Sequence, residues 1–167
     1  MTSSSMLPRR FAPFIIVLLA LLAANTCRAA EIDESSLMDL DSFPQAKLDI
    51  HSGKDTHHFE IWIAETPQQQ QQGLMFVRDL PAARGMLFVA NEPRIFQMWM
   101  KNTYIPLDMV FIGADGKISS IAENTTPHSL AIVSSKVAVS AILELKGGEA
   151  ARRALHAGDK ASWTRSQ

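Results

Sequence analysis

Lys101, Asn102 and Thr103 break an otherwise apolar run, and Asp108 follows them just before the apolar run Met109, Val110, Phe111 and Ile112. A cation, an amide, a hydroxyl and a carboxylate this close together are the side-chain types that hydrogen-bond a small polar ligand. Trp99, two residues before Lys101, adds a flat apolar face on which a sugar ring or similar group can stack. Two arrangements fit the pattern. In the first, these residues close one end of a sheet around a pocket, with Trp99 as a wall and Lys101 and Asp108 orienting polar groups. In the second, Asp108 caps the backbone amides of residues 102–107, and Asn102 and Thr103 are ordinary turn residues. An acid placed before an apolar run is costly to bury without a partner in either case.

Other side chains extend the possibilities. Glu123 ends one expected strand, and Glu144 stands between Leu143 and Leu145 and therefore points away from them. Either acid beside Asp108 would give the carboxylate pair of general acid–base chemistry, as in glycoside hydrolysis, where the separation sets the outcome. Solvated acids at strand edges are the alternative. The planar fork of Arg78 suits a carboxylate or phosphate, and equally an ion pair with Asp79 or Glu65. Met98 and Met100 would share one strand face, and thioether sulfur suits cuprous copper, with His57, His58 and His128 as nitrogen donors. Methionines among aromatics are more commonly core filler, and the His57-His58 pair lacks an identifiable third zinc ligand. There is no Gly-rich phosphate loop, and Ser134-Ser135 has no base nearby in sequence. The expectation is a cofactor-free binding or accessory module for a small polar or glycan-like ligand. The alternatives are a hydrolase using Asp108 with Glu123 or Glu144, and a cuprous copper protein.

The elements that must position these residues are mostly strands. Phe59, Ile61 and Ile63 alternate with His58, Glu60 and Trp62, and residues 47–50 can pair with them through a turn at Ser52-Gly53-Lys54. Thr66, Pro67 and Gln69 spell a helix start with a capping box. Strands are expected over 85–89 and 94–101, with a turn at 91–93. If 94–101 is extended, Trp99, Lys101 and Thr103 share one face and Met98, Met100 and Asn102 the other. Residues 107–112 and 117–122 form the clearest hairpin, joined by Gly113-Ala114-Asp115-Gly116. A strand over 137–145 is stopped by Gly147-Gly148, a short helix covers 149–155, and 160–163 closes the sheet. The fold class expected is mostly β (α+β): a compact, mainly antiparallel, barrel-like sheet with two short helices. Residues 46–167 make one domain, residues 30–45 an acidic flexible lead-in, and the glutamine run 68–72 is too short to suggest a role of its own.

Residues 1–29 read as a signal peptide. Arg9 and Arg10 precede an apolar run, residues 11–24, that is shorter than the about 20 residues a spanning helix needs. Small residues at Cys27 and Ala29 fit cleavage before Ala30. The expected location is periplasmic or extracellular, with no stable membrane anchor after cleavage. The single cysteine leaves with the leader, so no disulfide is expected. Of 16 Lys and Arg, three (Arg9, Arg10 and Arg28) are in the leader, which leaves 13 against 17 Asp and Glu, a net charge of −4. That balance argues against a nucleic-acid partner.

The central residues also carry a resemblance. Gly73-Leu74-Met75-Phe76 with Arg78, Gly85-Met86-Leu87-Phe88, Trp99-Met100-Lys101-Asn102-Thr103 and Ile105-Pro106-Leu107-Asp108-Met109 follow one another in order. Phe111, the Asp115-Gly116 turn, Pro127, Leu143-Glu144-Leu145, Gly147 or Gly148, and Gly158-Asp159 complete the pattern. Over residues 64–163 the chain resembles the domain-of-unknown-function family 192, also called uncharacterised protein family 0127. The resemblance implies a small β-rich domain, often exported, with no established activity.

Overall fold

The computed structural model describes residues 32–166. The expected signal segment lies outside the described residues. β1 (Gln45–Ser52) and β2 (Asp55–Ala64) form a hairpin across the expected turn, with Leu48 opposite Phe59 and Ala46 opposite Ile61. α1 (Pro67–Gln72) begins as expected: the Thr66 hydroxyl accepts from the Gln69 N–H, and the Gln69 side chain accepts from the Thr66 N–H at 3.0 Å. This helix is the crossover between β2 and β3 (Arg84–Arg94), which are parallel; every other pair in the main sheet is antiparallel.

β4 (Gln97–Met98) and β7 (Val133–Ser134) form a small separate ribbon. The rest of the chain supplies β5 (Leu107–Ile112), β6 (Ile118–Ala122), β8 (Val139–Lys146), α2 (Glu149–Arg152) and β9 (Lys160–Arg165). The seven-stranded sheet runs β6-β5-β8-β3-β2-β1-β9. It curls until its two edge strands meet: Lys117 bridges to Lys160, and the Ile118 N–H donates to the Asp159 carbonyl at 2.9 Å. The main core is the enclosed face, to which all seven strands contribute, among them Leu48, Ile61, Leu87, Val110, Ile118, Leu143 and Ala161. The mostly β, barrel-like expectation describes this architecture.

A second apolar cluster covers the opposite face of the central strands. It includes Met86, Phe88, Met109, Phe111 and Ile142 from the sheet, and Phe43, Leu74, Phe96 and Met100 from the segments laid over it. This layer corrects two expectations. Residues 32–44 are not a free lead-in. Two 3-10 turns, capped by Asp33 and Asp39, carry the buried Phe43 onto the sheet. The buried Gln72 side chain pins them there, accepting from the Met38 N–H at 2.8 Å and donating to its carbonyl at 2.9 Å. Residues 94–101 are not one long strand. The register breaks between Val89 and Arg94, and only Gln97 and Met98 pair afterwards, with β7. Phe96 and Met100 turn down into the second cluster, and Asn102 ends the segment at φ 56°. α2 is shorter than 149–155 because Ala154 sits in the left-handed region at φ 51°.

Gly85 is required by strand packing. A Cβ there would stand 2.5 Å from the Glu144 carbonyl oxygen and 2.9 Å from Leu145 Cδ2, where the β3–β8 pairing begins. Gly85→Ala is expected to destabilise the domain by about 2–3 kcal/mol, because neither the ladder nor the core can give way. Urea denaturation of the variant measures this, and an unchanged midpoint would contradict it.

Candidate functional site

Glu144 is placed by register. On β8 it lies opposite Met86 of β3 and Met109 of β5, both fully buried. Alternation sends its side chain to the second face, away from the barrel interior that takes Leu143 and Leu145. There it is only 4% exposed, and its Oε2 atom is buried with no hydrogen-bond partner. Burial among apolar groups disfavours the charged form and pushes its carboxyl up to about 8. At neutral pH it is a protonated acid that can donate as well as accept.

This acid lines a cavity of about 240 Å³. Trp99, Lys101 and Thr103 line it from the segment after β4, and Gln70, Gln71 and Gln72 from α1. Trp99 is about half exposed, and Lys101 Nζ lies 5.7 Å from its ring centroid. Thr103 is buried; its N–H donates to the Met100 carbonyl at 3.1 Å, and its own carbonyl accepts from the His128 N–H. Met98, Met75 and Leu74 supply apolar wall. An adjoining hollow of about 470 Å³ shares Gln70, Gln71, Phe88, Gln97 and Met98 with it, so the cavity opens into a longer groove between α1 and β4. A larger hollow, about 640 Å³, runs beside Glu65 and Asn91–Arg94, but no buried acid or base faces it.

The sequence-derived candidates divide sharply. Trp99, Lys101, Thr103 and Glu144 converge on the cavity; Asn102, Asp108, Arg78 and Glu123 do not line it. Asp108 is completely buried, and both its carboxylate oxygens accept main-chain N–H groups: Oδ1 from Asn124 and Oδ2 from Ala150, each at 2.8 Å. It ties down its surroundings, as one reading allowed, but through residues 124 and 150 rather than 102–107. Ala150 is in the first turn of α2, whose N-cap, Gly148, has no side chain to offer, so Asp108 caps that helix from another strand. Asn102 holds a turn: its side-chain amide donates to the Ile32 carbonyl at 3.4 Å, and its carbonyl accepts from the Phe76 N–H. Arg78 stacks over Tyr104 at 4.6 Å and faces Glu34 at 3.8 Å. Glu123 is exposed beyond the end of β6.

The paired-carboxylate arrangement is therefore not formed. Asp108 is opposite Leu145 and Met109 is opposite Glu144, so the two acids point to opposite faces of the sheet. The Met98–Met100 copper pair is also corrected. Met100 is core, with its sulfur accepting the Thr125 hydroxyl at 3.1 Å, whereas Met98 is half-buried on the cavity wall. His58 is engaged by Asp49 at 2.7 Å, and no cluster of three His, Cys, Asp or Glu able to hold a metal occurs among the described residues. The glutamine run was the feature undervalued in sequence: a Thr-Pro helix start followed by five glutamines already signalled amide groups repeated on one short helix.

Comparison with known proteins decides the family. The profile of the domain-of-unknown-function family 192 (DUF192), described as "Uncharacterized ACR", matches residues 49–163. The chain belongs to this family. The DUF192 match begins earlier than residue 64, taking in the second half of β1 and all of β2. The chain is similar to a solved structure from Sinorhizobium meliloti 1021 named provisionally as a transcription regulator. The two are 41% identical, with a TM-score of 0.72, over 73% of this chain and 95% of that one. It is also similar to a protein of unknown function from Novosphingobium aromaticivorans DSM 12444, at 32% identity and a TM-score of 0.73, over 81% of this chain and 94% of that one. No curated protein matches.

Proposed function

We propose that this DUF192 protein is an exported binding module of the cell envelope whose cavity holds a small polar, glycan-like ligand. One observation carries the reading: a buried acid with an unpartnered oxygen lines a cavity that also has an indole face and amide side chains. A buried polar atom without a partner is expensive, and a ligand hydroxyl or amide would satisfy it. Trp99 offers the stacking face, Gln71 and Lys101 offer polar contacts, and Glu144 donates its proton. The continuation of the cavity into the groove beside β4 suits a ligand longer than one ring. The regulator name of one structural neighbour is not carried over, because 13 basic against 17 acidic residues beyond the leader do not favour a nucleic-acid partner.

Isothermal titration against a panel of soluble glycans and polar metabolites tests this. The expected result is binding that weakens at least about tenfold in Trp99→Ala and in Glu144→Leu, the loss of one stacking face or one buried hydrogen bond. Binding that uses the Glu144 proton also weakens above about pH 8, where that proton is released. If the parent binds none of the panel, or both variants bind as it does, the reading is wrong.

A further inference from the structure

We propose that the outward face of the β4–β7 ribbon docks on the surface of an anionic lipid bilayer. Among the described residues the exposed large apolar side chains are Ile95, Trp99, Leu130, Ile132 and Val137, each between 47% and 66% exposed. All five belong to two segments that run side by side. Gln97 pairs with Ser134 and Met98 with Val133; beyond these pairs the Ser135 N–H donates to the Phe96 carbonyl at 3.1 Å, and the Met100 N–H to the Ser129 carbonyl at 2.9 Å. Alternation sends Phe96 and Met100 into the core and leaves Ile95 and Trp99 outside. Continuing the register by one residue sets Trp99 opposite Ile132.

The charge around this face selects its partner. No Asp or Glu occurs between Glu92 and Asp108, or between Glu123 and Glu144, although acids outnumber bases in the chain. The same two stretches contain Arg94, Lys101 and Lys136. Protruding Trp, Leu and Ile side chains on two stretches that carry cations and no acid of their own match the boundary of a bilayer, where apolar groups enter the acyl edge and an exposed cation such as Lys136 meets anionic headgroups. A second copy of this chain is a poorer occupant. A two-fold contact through this face would bring together two copies of the same cations, with no acid in either stretch to pair them.

The test is sedimentation of the full chain with phosphatidylcholine vesicles, with and without phosphatidylglycerol, alongside tryptophan emission. Of the three tryptophans Trp62 is buried and Trp163 is half-buried against the main core, so a shift toward the blue on lipid addition that is lost in Trp99→Phe reports on Trp99. The N-terminal segment is common to parent and variants, so differences between them report on the ribbon. Ile132→Glu and Lys136→Glu change exposed side chains that do not line the cavity, and failure here leaves the ligand reading untouched. Expected are a blue shift and sedimentation that depend on phosphatidylglycerol, weaken in high salt, and fall about tenfold in each variant. Equal sedimentation of parent and variants, or an unshifted emission, overturns the proposal. So does a lipid-independent dimer that Ile132→Glu abolishes, which would give the face to a second copy instead.

Discussion

Glu144→Gln will remove most of the change in stability between pH 5 and pH 8. In the folded chain burial holds the Glu144 proton until about pH 8, whereas in the unfolded chain the carboxyl releases it near the ordinary 4.5. Between those values the native state binds more protons than the unfolded state, so stability falls as pH rises and levels off above about 8. The size follows from the shift and is roughly 2–5 kcal/mol, the upper figure being the unrelaxed limit. Glutamine is nearly isosteric and does not titrate, so its curve should be flat through this window and cross above the parent at alkaline pH. Glu149 acts in the opposite sense and elsewhere. Its hydrogen bond from Arg152, with Arg153 beside it, holds its carboxyl below the usual range, so its contribution is lost only as pH falls through acid values. Guanidinium denaturation of both proteins across pH 5–9 checks the prediction, and parallel curves would mean that Glu144 is ionised in the fold.

Asp108→Ala should be among the most damaging single substitutions, costing about 3–5 kcal/mol. The carboxylate accepts two main-chain N–H groups in a fully buried position, and each bond to a charged acceptor is worth about 1.5–3 kcal/mol. Its removal strands the amides of Asn124 and Ala150 and leaves the first turn of α2 uncapped. Asp108→Asn keeps one acceptor but presents an NH₂ to the other N–H, and is expected to cost less, about 1–3 kcal/mol. Because the side chain lies on the opposite sheet face from Glu144, the Asn variant should keep whatever ligand affinity the cavity has. Equilibrium denaturation gives the first quantity and titration the second. A loss under about 1 kcal/mol for the Ala variant would contradict the anchoring role.

These two acids show where sequence reasoning reached its limit. A carboxylate before an apolar run demands a partner, and Asp108 has two. Its partners, Asn124 and Ala150, are 16 and 42 residues away, and nothing local names them. In sequence Glu144 is an ordinary alternating acid between two leucines. Only the stacking of Met86 and Met109 on either side, and the lid made by α1 and the Trp99 segment, turn that position into a buried one. The reading of 94–101 failed for a related reason. Its apolar content suits a strand, but the register break after Val89 and the pull of Phe96 and Met100 into the second cluster leave only Arg94, Gln97 and Met98 paired.

What residue order settled unaided was local. Period-two alternation set the strands, the Thr66–Gln69 box started α1, and the Gly113–Gly116 turn joined β5 to β6, because each depends on neighbours within a few residues. The family pattern is local too, being a string of short motifs. The tertiary structure decided which carboxylate anchors and which one faces a cavity. That choice depends on pairing between strands far apart in the chain and on what is laid over each face of the sheet, and both are fixed only when the whole sheet has curled and its second face is covered.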